Sequence, residues 1–432
     1  VLDPTDRVSL QRRARFYVQQ LVYDLSTGLF ARPATWTATL AATALLLPPL
    51  ERAFAPELSA LLSTEPGSAQ VVLGTLAGSM MTVVSVVYSI LLVALSLASV
   101  QFSTRILVSI LRDRWAQHTL GLFLGTFVYC LLVLRSVHTD PAPYVPGLAL
   151  TVAIVLALTS LAGLVWFIHH IATSIQANHL VERIAAATER VIDEVFPVLR
   201  RPGDAAEAPA APPVPDGAVV VRSRRSGYVQ LVDHEGLRAV AARGRQVFVL
   251  RAVGAFVAEG VPLLAIAPTA LASDEAACLA AVDLGPVRTL QADVEYGFRQ
   301  IVDIALKAIS PAVNDPSTAA TCIDHLGRLL VRVASRRPAP AWVDGVSLPI
   351  TTHARLIDLA FLQLRQYGKT DMAVALRMMR VLGEVAPLMP EGEARRRVEE
   401  HAHLLETSVR AAFPAEDCGE LDRRVQILRR CG

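Results

Sequence analysis

The sequence predicts a membrane α-helical protein: four transmembrane helices, then a cytoplasmic small β-barrel-like module and an α-helical C-terminal region. Three observations carry this reading. Hydrophobic residues make up 53% and charged residues 19% of the 432, and mean hydropathy is +0.43, whereas about a quarter of an ordinary soluble domain is charged. Apolar runs of membrane-crossing length lie at about 34–54, 73–102, 118–138 and 147–170, and none recurs after residue 175. From residue 218 the pattern changes to short β-prone runs split by glycines, and from residue 271 to amphipathic helices.

Residues 1–33 read as a cytoplasmic N-terminal segment carrying Arg7, Arg12, Arg13, Arg15 and Arg32, while Arg105, Arg112 and Arg114 fill the loop after the second span. The positive-inside rule places both segments in the cytoplasm, with residues 56–72 and 139–146 outside and both termini inside. The first span has a longer leader and a longer apolar run than a signal peptide, so it reads as an uncleaved anchor. Pro48 and Pro49 are expected to end it at the outer surface. The four-helix transmembrane domain is bounded at 34–172.

Along the second span, Thr75, Gly78, Thr82, Ser85, Ser89, Leu92, Ser96, Ser99 and Ser103 alternate in steps of three and four, which keeps them on one narrow face. Two roles compete for this stripe. Small and hydroxyl side chains let helices pack closely in lipid, with hydroxyls bonding across the contact or back to their own helix. The same hydroxyls can line a pore, with Leu92 as an apolar constriction. Thr82, Ser85, Ser89, Leu92, Ser96, Ser99 and Ser103 are therefore the candidate pore-lining or helix-packing residues, and the two roles coincide if several copies pack this helix around one axis.

Ile171, Ile175, Leu180, Ile184, Val191 and Val195 continue a helical pattern beyond the fourth span, which predicts a cytoplasmic stalk helix over 173–200. Residues 201–217, rich in Pro, Ala and Gly, read as a linker. The β module occupies 218–270. Its closing run, Val253-Gly254-Ala255-Phe256-Val257-Ala258-Glu259-Gly260-Val261-Pro262-Leu263-Leu264, resembles the last half of a biotinyl/lipoyl-type barrel. That resemblance implies a small barrel. Carriers of that kind need a turn lysine and this module has none, so it is read as structural.

Residues 271–432 form the helical domain, with helices expected over 286–309, 351–367, 371–386, 392–413 and 418–430 and another opening at Asp315-Pro316. Asp315 is placed as an N-cap and Pro316 at the first helical position. The run Phe298-Arg299-Gln300-Ile301-Val302-Asp303-Ile304-Ala305-Leu306-Lys307-Ala308-Ile309-Ser310-Pro311-Ala312-Val313-Asn314-Asp315-Pro316 resembles an uncharacterised bacterial family of predicted membrane proteins, domain of unknown function 2254. Ala94-Leu95-Ser96-Leu97-Ala98-Ser99-Val100-Gln101-Phe102-Ser103 and Arg365-Gln366-Tyr367-Gly368-Lys369-Thr370-Asp371 extend the likeness along nearly the whole chain. It implies a multi-pass protein of the bacterial inner (cell) membrane with a cytoplasmic C-terminal region, and brings no catalytic residue.

Chemical motifs are sparse. Asp293, Glu295, Arg299, Asp303, Lys307, Asn314, Asp315, Cys322, Asp324 and His325 make the densest polar cluster, and Arg299, Asp303, Lys307, Asn314 and Asp315 are its candidate effector-binding residues, against the plainer reading of a salt-bridged, well-capped helical hairpin. Gly368-Lys369-Thr370 lacks the upstream glycine of a P-loop, since position 363 is Gln363. His169, His170 and His179 lack the spacing of a metal pair, and the five cysteines show no metal or redox spacing. No cofactor and no enzymatic activity are expected, and the net charge of +2 gives no reason to invoke nucleic acid. The sequence points to a homo-oligomer in the lipid bilayer that passes an ion or small solute along the second helix under control of its cytoplasmic domains. The alternative is a non-conducting scaffold or sensor whose helical domain binds a protein or small effector.

Overall fold

In the computed structural model the described residues are 31–54, 57, 62, 64–101, 113–139, 143–174, 176–199, 211–338 and 340–431. They fall into two units, one built from the helices up to Gln176 and the other running from Ala177.

The first unit contains α1 (Ala31–Phe54), α2 (Pro66–Gln101), α3 (Arg114–Leu134) and α4 (Gly147–Ser174). Three of these are long and apolar enough to cross a membrane: α2 over Pro66–Leu97, α3 over Trp115–Leu134 and α4 over Gly147–Thr173. Of the four expected spans, the last three meet that measure of length and apolar composition. The first predicted span is helical throughout, but its threonines, paired prolines and Glu51 dilute its apolar character. Thr37, Thr39 and Thr43 turn their hydroxyls back to carbonyls of their own helix. Nor does α1 stop at its prolines, for it runs on to Phe54. It lies along α3, with Trp36 and Leu40 packed over Gly121 and Gly125.

Two apolar clusters hold the unit together. Leu40 and Ala44 of α1 join Ala69, Leu73 and Ala77 of α2, Tyr129 and Val133 of α3, and Ala149 and Ala153 of α4. Further along, Val84, Val87 and Ala94 of α2 meet Leu120 and Phe123 of α3 and Phe167 and Ile171 of α4.

The second unit opens with α5 (Ala177–Val195), a separate helix rather than the continuation of α4. The segment that reads as a stalk is a member of the helical bundle. Leu180, Val181, Ile184, Ala185, Thr188, Val191 and Ile192 are buried, and the helix packs on α8 (Val294–Ala308) and α9 (Pro316–Ala334). Its polar edge is bound by α9: Arg328 pairs with Glu182 at 2.9 Å and Glu189 at 2.7 Å, and Arg332 with Asp193 at 2.7 Å. Hydrogen bonding from Arg328 holds the Glu182 carboxyl below the usual carboxylate range, and Arg332 does the same for Asp193. These pairs therefore weaken as acid protonates the carboxylates.

Where α5 crosses α8, Gly297 removes the side chain that would separate them. A Cβ there would lie 2.1 Å from Oγ1 of the fully buried Thr188, whose hydroxyl is already bonded to Ile184 O at 2.7 Å. Gly297→Ala gains about 1 kcal/mol in helix propensity and loses about 1–3 kcal/mol to overpacking. Net destabilisation is expected, measured as a lower thermal midpoint for the full chain in detergent. Thr188→Ala, which vacates the contact, should recover part of the loss.

The β module is an open arrangement of two sheets, which corrects the barrel expectation. β2 (Val219–Arg222), β6 (Pro262–Ala267), β4 (Gln246–Val249), β10 (Val346–Ser347) and β9 (Trp342–Val343) lie in that order, and β5 (Phe256–Val257), β3 (Gly227–Val232) and β7 (Val282–Gly285) form a second sheet. A barrel needs its first and last strands to pair, and here β2 and β9 stay at opposite edges. Helices α6 (His234–Ala241) and α7 (Ala272–Ala280) interrupt the strands, and Leu237, Val240 and Cys278 enter the core beside Val247, Leu264 and Ile266. The strand β10 comes from far downstream and pairs in parallel with β4, Val346 opposite Val247. Its hairpin with β9 turns through Asp344 and Gly345, at φ 50° and 82°. Those left-handed positions are what a two-residue Asp-Gly turn requires.

The remaining helices are α10 (His353–Gly368), α11 (Met372–Val385), α12 (Glu393–Ala412) and α13 (Gly419–Cys431), close to the expected ranges. A short antiparallel pair, β1 (Val198–Leu199) with β8 (Arg336–Arg337), ties the end of α5 to the end of α9.

Candidate functional site

The stripe on α2 lies on the face turned away from its own unit. Thr75, Gly78, Thr82, Ser85, Ser89 and Ser96 are exposed, and Leu92 is 65% exposed. The opposite face supplies the buried residues Leu73, Ala77, Met80, Val84 and Val87. Thr82 Oγ1 donates to Gly78 O at 3.2 Å, Ser85 Oγ to Met81 O at 3.0 Å and Ser89 Oγ to Ser85 O at 2.9 Å. Each hydroxyl thus spends its proton inside the helix and keeps its lone pairs outward. The side chain of Ser99 and the whole of Ser103 lie outside the described residues.

Two polar girdles bracket the first unit. At one end Asp113 caps α3 by accepting Trp115 N–H at 3.0 Å, and its other carboxylate oxygen contacts His170 Nε2. Trp166 stacks on His170 at 5.0 Å and meets Trp115 edge-on, while Trp36 Nε1 donates to His118 Nδ1 at 2.9 Å. At the other end Glu51, only 2% exposed, accepts Leu148 N–H at 2.8 Å and Ala149 N–H at 3.2 Å, capping α4 from a different helix. Beside it the Arg52 guanidinium lies 3.8 Å over the Tyr144 ring, whose hydroxyl donates to Pro48 O at 3.0 Å. The stretch of α4 between Leu148 and His170 rises about 33 Å at 1.5 Å per residue, close to a ~30 Å hydrocarbon core.

The effector cluster predicted in the second unit is spread out. Arg299 Nη1 donates to Gln363 Oε1 of α10 at 3.0 Å, whereas Asp303 and Lys307 are half-buried further along α8. Asn314, at φ 50°, and Asp315 form the turn between α8 and α9. Asp315 caps α9 through Thr318 N at 3.0 Å and Thr318 Oγ1 at 2.6 Å, and those bonds hold its carboxyl below the usual range. Arg299 and Asp315 therefore belong to different contacts, Arg299 more than two helical turns before the end of α8 and Asp315 beyond that end. Among the described residues no group of His, Cys, Asp and Glu could hold a metal ion. Cys130, Cys278, Cys322 and Cys418 are buried free thiols, and burial pushes Cys278 up to about 11, far from a reactive thiolate.

Sequence reasoning missed two polar centres and, for a third at Asp293, the Arg288 partner. Glu51 sits inside the first apolar run, where an acid should have drawn notice. Asp293, 3% exposed, caps α8 through Tyr296 N at 2.9 Å and is gripped by both ends of the Arg288 guanidinium. The pair closes over Gly254 in the β4–β5 turn, joining the β module to the helices. The other missed centre is His401 of α12, buried against Asp358 of α10; no spacing rule links residues on two helices so far apart in sequence.

The predicted membrane protein family DUF2254 matches residues 26–384. An uncharacterized protein of Mycobacterium tuberculosis is 33% identical over 387 residues, covering 85% of this chain and 74% of the relative, and one of Mycobacterium bovis matches to the same extent. No solved structure matches. With three helices fit to span a bilayer, polar girdles at their ends and a match over most of its length, the chain belongs to the predicted membrane protein family DUF2254.

Proposed function

We propose that copies of this chain associate in the bilayer through α2 and that the hydroxylated face forms a shared ion or small-solute pathway, regulated by the cytoplasmic β and helical modules. One observation carries the reading: the hydroxylated stripe of α2 lies on the broad face that its own unit leaves uncovered, among the exposed side chains of Met81, Val86, Val93 and Leu97. In this arrangement Leu92 narrows the pathway between two hydroxylated stretches. The tryptophan girdle faces the cytoplasm, since the arginine-rich segments adjoin it in sequence. A second reading draws on the back-bonded hydroxyls of Thr82, Ser85 and Ser89, which need no water. On that reading α2 packs against another copy in a non-conducting scaffold, and the helical domain binds a protein or small effector.

Planar-bilayer recording and detergent melting on the same variants separate the two. For a pathway, Leu92→Ser should hydrate the constriction and raise conductance with assembly intact. For a scaffold, Ser89→Leu should loosen the assembly by about 1–3 kcal/mol while neither wild type nor Leu92→Ser conducts. That second outcome ends the channel proposal.

A further inference from the structure

The polar groups between α10 and α12 are unevenly spent. Asp358 accepts His401 Nε2 at 3.0 Å and faces Arg397 Nε at 3.2 Å without hydrogen-bond alignment, while Arg397 Nη1 donates to Glu400 Oε2 at 2.8 Å. The imidazole, on a residue only 4% exposed, lies 6.2 Å from the Phe361 ring, centroid to centroid. Arg365 stands one turn beyond Phe361 on the same face of α10 and is half-buried. Three buried nitrogens here have no hydrogen-bond partner among the described residues: Arg365 Nε, Arg397 Nε and His401 Nδ1. Buried polar atoms left this way are uncommon in folded proteins, and a bound ion is one thing that satisfies them.

The charges determine what would fit. Asp358 and Arg365 of α10 act on His401, as do Arg397 and Glu400 of its own helix. Packed against both helices, α11 turns Arg377 and Arg380 away toward Asp324 of α9. Arg365 and Arg397 thus face Asp358 and Glu400, and Glu393 acts on Arg397 from one turn earlier on α12. Burial holds the imidazole below its ordinary pKa. A proton would add one positive charge and turn Nδ1 into a donor with nothing to receive it.

We propose that this junction binds a small oxyanion together with a proton, the anion bridging the Arg365 guanidinium and the Nδ1–H of a charged His401. The anion supplies the missing acceptor and offsets the charge of the added proton. Because the imidazole titrates lower folded than unfolded, the anion-free protein keeps this contribution to stability above the unfolded value of about 6.5. It loses it as pH falls through the lower folded value. Anion binding raises the folded value and delays the loss.

Sulfate is the probe, because it does not titrate in this range. The full chain in detergent is melted at pH 7.5 and pH 5.5 in sulfate and in chloride at equal ionic strength. Sulfate should raise the midpoint at pH 5.5 and leave it unchanged at pH 7.5. Arg365→Gln should keep the midpoint seen at pH 7.5 and lose the response to sulfate. In wild type, NMR of the His401 imidazole should show its pKa rising when sulfate replaces chloride. The proposal is overturned by an equal sulfate effect at both pH values, by an undiminished effect in Arg365→Gln, or by a His401 pKa indifferent to sulfate, and the last holds even if the variant does not fold.

Discussion

Asp293→Ala is expected to cost about 3–5 kcal/mol, the range for removing one partner of a buried ion pair. The carboxylate is almost wholly buried, and its loss strands the Arg288 guanidinium, itself only 21% exposed, over the β4–β5 turn. It also removes the cap of α8. Burial outweighs Arg288 and pushes the Asp293 carboxyl above its ordinary range, so a neutral isostere forfeits less than the charge alone suggests. Asp293→Asn should therefore lie between wild type and Asp293→Ala. Chemical unfolding of the full chain ranks the three, and replacing both partners by apolar residues should recover much of the loss. Equal stability of Asp293→Ala and wild type would show that water reaches the pair.

Glu51→Ala should cost about 2–4 kcal/mol, because two backbone N–H groups at the start of α4 lose their acceptor where little water can replace it. Glu51→Gln retains one carbonyl oxygen and should cost less than half as much. Unfolding in mixed micelles measures both. A capping role requires that Arg52→Ala, which removes only the contact with the Tyr144 ring, be the mildest of the three.

The helical parts are legible in the sequence because their signals are local. Asp315-Pro316 announces α9, and the spacing of Ile184, Val191 and their neighbours announces α5. Helical periodicity says where a face lies and nothing about what covers it, so α5 reads as a stalk when Arg328 and Arg332 claim it for the bundle. The same holds for the stripe on α2, whose spacing is readable and whose outward direction is not. The Asp344-Gly345 hairpin falls in the stretch read as a helical domain, and its destination beside β4 rests on a parallel pairing across two long helices. The candidate effector residues form a cluster in sequence. Three-dimensional packing assigns Arg299 and Asp315 to different helices, and gathers Asp358, Arg365, Arg397 and His401, which sequence distance keeps apart.

The pairing of Val346 with Val247 also dictates an order of events during synthesis. Until the ribosome has passed Ser347, the inner edge of β4 presents Val247, Phe248 and Val249 with no strand beside them, and it stays open while α8 and α9 emerge. Parallel closure over that interval is slow compared with helix formation, and an apolar edge left waiting is a template for the wrong neighbour. Fragments that stop before Trp342 should therefore come out of cells as aggregates, and the shortest soluble piece of the β module should include the Asp344-Gly345 hairpin and both helices that lead to it.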